Sequence, residues 1–413
     1  MDPDFRNRGV VHGHSPSVRL ALLGVATFVV TTNSLNIAGL LPNIAEGLDV
    51  SIGSVSYGIT AYALVAAIAS PLFASVFSRR SRTAVLTTGL VVVAVGTSVA
   101  AVAPTLAWFI GGRALSALGA AAVVPVAMAV APELVAPERR GRALAAVGVG
   151  FTAATALGAP IATALAALTD WRVSMGIVAG LAALVSFAMM GFVRDLPIGH
   201  VPGGRALLTV FSNPLLLIAL VGNVLVVLAM EIVYIFGAEV SGRTGTPLAI
   251  LLLLIGIAGI AGTLAGGRLD DRWGHGPVGL FGTAVLACTL LFLTSAGNSY
   301  ALAAVGFAAY GVASCLVVIP RQHQLISIAP QVATVSLSWF STTNYVGIAL
   351  APLIGAQLVH DGGSAIALGG ATIACLAFVL FALGLRVQRR TAHPTSVAAT
   401  LADAGSRGAR TLE

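Results

Sequence analysis

The stretch Leu-Ala-Ile-Leu-Leu-Leu-Leu-Ile-Gly-Ile-Ala-Gly-Ile, residues 248–260, contains no polar or charged side chain. A membrane β-barrel strand alternates polar and apolar residues, so this unbroken run argues against a barrel and indicates a bilayer-spanning helix. The whole chain of 413 residues has the same character, with 57% hydrophobic residues, 9% charged residues and a mean hydropathy of +0.97. Soluble domains carry roughly 25% charged residues. The composition therefore excludes a water-soluble globular enzyme.

Twelve apolar segments follow one another along the chain, and a membrane-spanning helix needs roughly 20 such residues. We place the segments at residues 19–41, 54–77, 84–103, 106–131, 143–168, 173–193, 214–238, 247–266, 277–296, 300–320, 331–359 and 364–385. The longest connection, from Arg194 to Asn213, divides them into six and six. The sequence predicts an all-α membrane protein with twelve transmembrane helices in two pseudo-symmetric six-helix bundles.

This division also gives the expected domain organisation. We expect a cytoplasmic N-terminal tail, an N-terminal six-helix bundle, a cytoplasmic linker, a C-terminal six-helix bundle and a cytoplasmic C-terminal tail, at residues 1–18, 19–193, 194–213, 214–386 and 387–413. The first apolar segment is too long for the core of a signal peptide and lacks a small-residue cleavage pattern, so we expect it to be retained as a span.

The basic residues predict the orientation. All 22 are arginines. With the N-terminus in the cytoplasm, 19 arginines fall on the inside, including Arg321 after segment 10, whereas the outside loops hold only Arg172 and Arg243. Cytoplasmic loops of membrane proteins are enriched in basic residues. We therefore expect both termini in the cytoplasm of a bacterial-type plasma (inner) membrane, and the net charge of +7 requires no nucleic-acid partner.

An internal repeat supports the division into halves. Gly267-Arg-Leu-Asp-Asp271-Arg272-Trp-Gly274 follows segment 8, and Ala74-Ser-Val-Phe-Ser78-Arg-Arg-Ser-Arg82 follows segment 2. Asp271 and Ser78 are 193 positions apart. The prolines of Gly-Ala-Pro160-Ile in segment 5 and Leu-Ala-Pro352-Leu in segment 11 are 192 positions apart. Two unrelated landmarks with nearly the same offset indicate duplicated halves.

These motifs resemble those of the major facilitator superfamily, in its twelve-span drug/proton antiporter branch of sugar-efflux and chloramphenicol-type exporters. The family loop Gly-x-Leu-x-Asp-Arg-x-Gly-Arg-Arg is similar to the second-half copy here, whereas the first-half copy has Ser78 in place of the aspartate. Gly158-Ala-Pro160 is similar to the antiporter motif of segment 5. The resemblance and the loop charges together give eight gating candidates: Arg79, Arg82, Gly158, Pro160, Gly267, Asp271, Arg272 and Gly274.

Two ionisable residues within apolar segments are candidates for proton coupling. Arg113 opens a stretch of segment 4 that is similar to the family's Arg-x-x-x-Gly-x-Gly-x-Ala, and a charge at this depth costs roughly 2.5–3.5 kcal/mol on insertion scales. Glu231 lies in the body of segment 7, where desolvation favours its neutral form. The alternatives are a snorkelling arginine and a solvated glutamate near the outer mouth. Glu239 is closer to the loop, and we expect it at the surface.

Amides and aromatic side chains are candidates for substrate contacts, because pockets for small molecules are mostly apolar with few polar groups. The candidates are Asn33, Asn36, Tyr62, Asn223, Tyr234, Tyr310, Trp339, Phe340 and Asn344. The alternative for each amide is an interhelical hydrogen bond, and for each aromatic residue packing or an interfacial belt. His323 is expected at the inner interface.

No hydrolytic or redox constellation, metal motif or phosphate-binding loop is present in the sequence, and the three cysteines lie in apolar segments as small hydrophobes. We therefore expect no enzyme activity, cofactor or metal. The leading hypothesis is a monomeric secondary active transporter that uses alternating access to export a small amphipathic drug or metabolite in exchange for protons, a possible route to multidrug resistance. The alternatives are uptake or facilitated exchange of a sugar or organic acid, and a non-transporting membrane receptor or scaffold.

Overall fold

The structure is a computed structural model that describes residues 16–76, 81–136, 139–193 and 213–409. These residues form fifteen α-helices, which we number in chain order. Their bounds are α1 Pro16–Leu48, α2 Ile52–Val76, α3 Arg82–Ala101, α4 Leu106–Val130, α5 Arg140–Ala153, α6 Ala159–Leu168, α7 Trp171–Phe192, α8 Pro214–Ile235, α9 Gly237–Ser241, α10 Gly245–Trp273, α11 His275–Phe292, α12 Tyr300–Leu316, α13 Val318–Ile328, α14 Ala333–Leu358 and α15 Gly363–Ala409. Arg79, Ser78 and nearly all of the predicted linker lie outside the described residues.

Twelve spans are long and apolar enough to cross a bilayer, which confirms the predicted fold class. Helices α1 to α4 are spans 1 to 4, α7 is span 6, and α8, α10 and α11 are spans 7, 8 and 9. Span 5 is the pair α5 and α6, span 10 is the pair α12 and α13, and spans 11 and 12 are α14 and α15.

Two spans are interrupted inside the membrane. A π-helical turn, Ala154–Gly158, joins α5 to α6 in span 5. Span 10 breaks at Val317 and continues to Ile328, well beyond the predicted end at residue 320. The expectation that Arg321 lies in a loop after segment 10 is wrong, because the chain there is helical from Val318 through Ile328.

Polar residues in the connections satisfy the first backbone N–H groups of several spans, which have no partner within the helix. Thr105 and Ser299 precede spans 4 and 10, and each side chain accepts a hydrogen bond from a backbone N–H of the first turn. The Asn213 side chain does the same for span 7, accepting from the backbone N–H groups of Leu215 and Leu216 at 3.0 and 3.4 Å. These caps define where the spans begin.

The apolar core differs between the two ends of the bundle. We call the end that carries Arg82, Arg140 and Arg268 the arginine-rich face, and the end that carries Arg172 and Arg243 the opposite face. Near the opposite face, one apolar cluster contains residues of both halves, such as Leu41 and Leu251. Toward the arginine-rich face the core is divided into an N-terminal cluster around Leu86 and Val123 and a C-terminal cluster around Leu216 and Leu325. The halves therefore pack together most fully near the opposite face.

Direct contacts between the halves agree with this asymmetry. The Thr60 hydroxyl of span 2 donates a hydrogen bond to the Ala349 carbonyl of span 11 at 2.9 Å. Span 8 meets span 5 so closely at Gly256 that a Cβ atom there would lie 2.2 Å from the Cα of Ala156. A glycine at this position lets the two backbones approach.

The first prediction concerns this contact. We expect Gly256→Leu to lower the apparent melting temperature of the purified protein, because the added side chain meets the span 5 backbone and overpacking of this kind costs about 1–3 kcal/mol. Gly180→Leu is the matched control, because Gly180 is an exposed helical glycine whose added Cβ would meet no atom within 4 Å. Equal melting temperatures for the two variants would show that the halves do not depend on this contact.

Candidate functional site

Arg113 is completely buried in span 4 and is held by span 1. Its Nη1 donates hydrogen bonds to the backbone carbonyl of Asn33 at 2.7 Å and to the Asn33 Oδ1 at 3.4 Å. The Asn33 side chain also donates to the Ser116 hydroxyl at 2.7 Å and accepts from the Thr97 hydroxyl at 2.9 Å. Asn33 therefore connects three helices, and the sequence-based alternative of an interhelical amide fits this residue.

Several polar atoms near this network have no hydrogen-bond partner. Nε and Nη2 of Arg113 and both amide atoms of Asn36 are buried and unbonded, as is the hydroxyl of Thr32. The Arg113 guanidinium stacks 4.4 Å from the centre of the Tyr62 ring. Neither of the two ion pairs in the described residues involves Arg113. Spare donors and acceptors around a buried cation are groups that a polar ligand or water can satisfy.

A second group of candidates surrounds Glu231. This residue is half-buried in span 7 and forms no ion pair within the described part of the chain, so it is not paired with Arg113 in this conformation. The hydroxyls of Tyr234 and Tyr310 are close enough to the carboxyl group for electrostatic interaction. Tyr310 of span 10 donates a hydrogen bond to the Met230 carbonyl at 2.8 Å, which fixes span 10 against span 7 beside Glu231.

The other substrate candidates do not form a single group. Asn223 of span 7 donates hydrogen bonds to Thr343 at 3.0 Å and to Asn344 at 2.7 Å, so this amide joins spans 7 and 11. Trp339 and Phe340 pack in the C-terminal apolar cluster at the arginine-rich end. Tyr62 belongs to the N-terminal cluster, whereas Tyr234 and Tyr310 belong to the cluster shared by both halves.

The Gly-Pro motif of span 5 lies at the junction of spans 1, 5 and 8. A Cβ atom on Gly158 would lie 2.1 Å from the Thr32 hydroxyl oxygen, so the glycine allows span 1 to approach. Pro160 is buried in the first turn after the π-helical turn, where its missing N–H interrupts the backbone ladder. The structure thus places both residues beside the contact between Ala156 and Gly256.

The charged motif after span 8 is arranged differently from the prediction. Asp271 and Arg272 are exposed, whereas the neighbouring Asp270 is buried and pairs with His323 of span 10 at 2.7 Å. The reason is that span 8 remains helical through Trp273, so adjacent residues point in directions about 100° apart. Gly274 then makes the turn with a φ of 78°, which glycine adopts without strain. Asp270 is a functional candidate that the sequence analysis missed, and its partner His323 is the residue expected there at the inner interface.

Arg82 and Gly267 are two further gating candidates at the arginine-rich face. Arg82 forms an ion pair with Glu133, which joins the start of span 3 to the end of span 4, the elements that correspond by the repeat to spans 9 and 10. A Cβ atom on Gly267 would lie 3.4 Å from the Cδ1 atom of Ile319. From the apolar segments around them, all three cysteines are expected to be buried, and this expectation is wrong for Cys288 and Cys375, which lie on exposed helix faces. Within the described ranges, no group of histidine, cysteine or acidic side chains is arranged to hold a metal ion.

Glu239 lies in the connection between spans 7 and 8, outside the membrane-spanning segments, and is half-buried rather than exposed as expected. Its Oε2 is buried without a hydrogen-bond partner. Burial raises the pKa of this carboxyl to about 7. The group therefore titrates in the physiological range.

The second prediction tests the Asn33 network. Asn33→Ala removes the partner of two buried hydroxyl groups, and we expect a loss of about 1–3 kcal/mol of stability because unsatisfied buried polar groups carry that cost. The measurement is thermal unfolding of the purified protein. Asn298→Ala, at an exposed asparagine, is the control. A melting temperature for Asn33→Ala equal to that of the control would contradict the proposed role of the network.

The third prediction uses the raised pKa of Glu239. The folded state holds this proton up to about pH 7, whereas the unfolded chain releases it near pH 4.5. Stability therefore falls as the pH rises through this window. We expect Glu239→Gln, which stays neutral, to match the wild type at pH 5 and to exceed its melting temperature at pH 8. A difference that is the same at both pH values would contradict a buried, titrating carboxyl.

The chain is similar in sequence to known membrane transport proteins. The sequence profile of the Major Facilitator Superfamily matches residues 23–352. The chain is 30% identical over 381 residues to the inner membrane transport protein YdhP of Escherichia coli, covering 90% of this chain and 97% of YdhP. It is 27% identical over 349 residues to YbcL of Bacillus subtilis, an uncharacterized MFS-type transporter, covering 83% of this chain and 89% of YbcL.

Solved structures share the fold at low sequence identity. The nucleoside transporter NupG superposes with a TM-score of 0.74 at 13% identity, over 90% of this chain and 99% of NupG. A bacterial homologue of the human lysosomal transporter Spinster, in an inward-facing and unoccupied conformation, superposes with a TM-score of 0.63 at 16% identity, over 89% of this chain and 95% of that one. The chain belongs to the Major Facilitator Superfamily and is a multi-pass membrane transporter, not an enzyme.

Proposed function

We propose that this transporter exports a small amphipathic compound, a drug or a metabolite, in exchange for protons. The observation that carries the proposal is the position of Glu231, an acidic residue between the ends of span 7 that has no cationic partner among the described residues. A charged carboxylate without a partner is costly in apolar surroundings. Proton uptake removes that cost, and such a group suits a carrier that loads and releases a proton as its surroundings change.

Arg113 contributes the second half of the coupling. It holds a positive charge in the membrane-spanning part of the N-terminal half and keeps two unbonded nitrogens. A cation that approaches a carboxylate favours the charged form. Rocking of one half against the other would change the distance between Arg113 and Glu231, and with it the proton affinity of the carboxyl group.

Substrate contacts would come from groups that lie beside one or the other of these ionisable residues. The unbonded amide of Asn36 offers a donor and an acceptor, and Tyr62, Tyr234 and Tyr310 add apolar surface with a polar tip. This mixture suits a molecule with an apolar body and few hydrogen-bonding groups.

Gating would use contacts at both ends. In this conformation the halves share an apolar cluster near the opposite face, and Gly256 and the hydrogen bond from Thr60 to Ala349 add contacts toward the middle of the spans. Near the arginine-rich face, the pairs Arg82–Glu133 and Asp270–His323 join elements within each half. We place the arginine-rich face in the cytoplasm by the distribution of arginines. The conformation would then be closed to the outside.

A second candidate function is uptake or exchange of an organic acid or a sugar. The observation in its favour is that Arg113 has unbonded N–H groups and no carboxylate partner in the part of the chain that the structure describes. A substrate carboxylate would satisfy them. Accumulation of the compound in intact cells, rather than its depletion, would favour this function over export.

The fourth prediction tests proton coupling. A screen of antibiotics, sugars and organic acids by thermal shift selects the ligand that most stabilises the purified protein. Its transport is then measured in reconstituted vesicles with a gradient of one pH unit. One exchanged proton supplies about 1.4 kcal/mol, which corresponds to about tenfold accumulation. We expect the wild type to approach this value and Glu231→Gln to show no accumulation while still exchanging labelled for unlabelled ligand.

Glu46→Gln is the matched control, because Glu46 is an exposed glutamate near the end of span 1. We expect this variant to accumulate the ligand as the wild type does. Accumulation by Glu231→Gln equal to that of the wild type, or wild-type transport that ignores the gradient, would overturn the coupling proposal.

A further inference from the structure

A second buried arginine lies in the C-terminal half, away from the Arg113 network. Arg321 is in α13, at the end of span 10 near the arginine-rich face, and only 2% of its surface is exposed. Arginine stays protonated in proteins. The C-terminal half therefore contains a permanent positive charge that is removed from solvent.

The surroundings of Arg321 leave most of this charge without a partner. The guanidinium lies 4.6 Å from the centre of the Phe381 ring of span 12, and its Nη2 donates one long hydrogen bond of 3.4 Å to the Thr283 hydroxyl of span 9. Nε and Nη1 are buried and have no acceptor. Both ion pairs in the described ranges use other residues.

A glycine of span 7 lets the unbonded Nη1 pack closely against that helix. Gly222 of span 7 faces Arg321, and a Cβ atom there would lie 2.9 Å from Nη1. Gln324 is one turn after Arg321 on the same helix, is equally buried, and has an unbonded amide oxygen. Because the two orientations of an amide are interchangeable, the same side chain can present its N–H₂ group in place of its oxygen.

We propose that Arg321, with Thr283 and Gln324, forms an anion-binding site among spans 7, 9, 10 and 12 that takes a carboxylate or phosphate group. A buried guanidinium is strongly destabilising without a partner and binds oxyanions through several N–H donors. The ring of Phe381 stabilises one face of the cation but cannot replace an acceptor for its N–H groups. The anion completes the hydrogen bonding of the site.

Two sources could supply this chemistry: a free small anion, or the phosphate of a lipid headgroup at the arginine-rich face. The experiment measures the melting temperature of the purified protein at constant ionic strength, with sodium phosphate or sodium acetate replacing sodium chloride. A parallel series compares phosphatidylglycerol with phosphatidylcholine in mixed micelles. We expect phosphate or acetate to raise the melting temperature of the wild type in a saturable manner.

Two variants of Arg321 and its neighbour separate binding from folding. Arg321→Met keeps the length and apolar packing of the side chain and removes the unpaired charge, so we expect it to fold and to lose the response. Gly222→Ala keeps the arginine and places a methyl group against its Nη1, so we expect saturation only at higher anion concentration. Arg268→Gln, at an exposed arginine on the same face, should respond as the wild type does.

The possible outcomes are distinct. A response to phosphatidylglycerol alone that requires Arg321 would identify the lipid as the source of the anion and would support the site. A wild type that responds to none of these anions, or an Arg321→Met variant that responds as the wild type does, would overturn it. Because the readout is binding, the result is independent of whether the transporter exchanges protons.

Discussion

A bilayer interior supplies no water to a charged or polar side chain, and this constraint governs the placement of polar residues in the structure. Asn33 satisfies it by bonding at once to Arg113, Ser116 and Thr97. Asn223 satisfies it through Asn344. Groups that do not satisfy it internally, such as the amide of Asn36 and the free nitrogens of Arg113 and Arg321, are where a ligand, a proton or an ion has the most to contribute.

The asymmetry of the apolar core gives this constraint a mechanical consequence. One cluster spans both halves near the opposite face, and the core separates into two toward the arginine-rich face. One of the joining contacts is made by small residues, Gly256 against Ala156, and at that point little side-chain interdigitation has to be undone when the halves move apart. The π-helical turn beside it places a locally irregular backbone at the point where span 5 would bend. Tight packing with little interdigitation is compatible with a transporter whose two halves alternate between two relative orientations.

The sequence was sufficient for the architecture because span length and apolar composition are local properties. It was also sufficient to single out Arg113 and Glu231 as ionisable residues within spans. The sequence was not sufficient to locate side chains whose position depends on helix phase or helix length. Asp270 and not Asp271 is buried, because span 8 stays helical through the motif. Arg321 lies in a helix because span 10 resumes after its break at Val317. The dispersal of the aromatic candidates over three clusters is a property of the packing of helices distant in sequence, which no local pattern contains.

The central claim is that ligand binding and proton binding at Glu231 are linked. The most direct measurement is the number of protons released when the ligand selected by thermal shift is added to purified transporter in weakly buffered solution near pH 7. If the two binding events are linked, each bound ligand releases a substantial fraction of a proton, up to about one. The number of protons released declines when the starting pH is high enough to deprotonate the carboxyl group beforehand. Saturating ligand binding with no proton release at any pH between 5 and 9 would contradict the account.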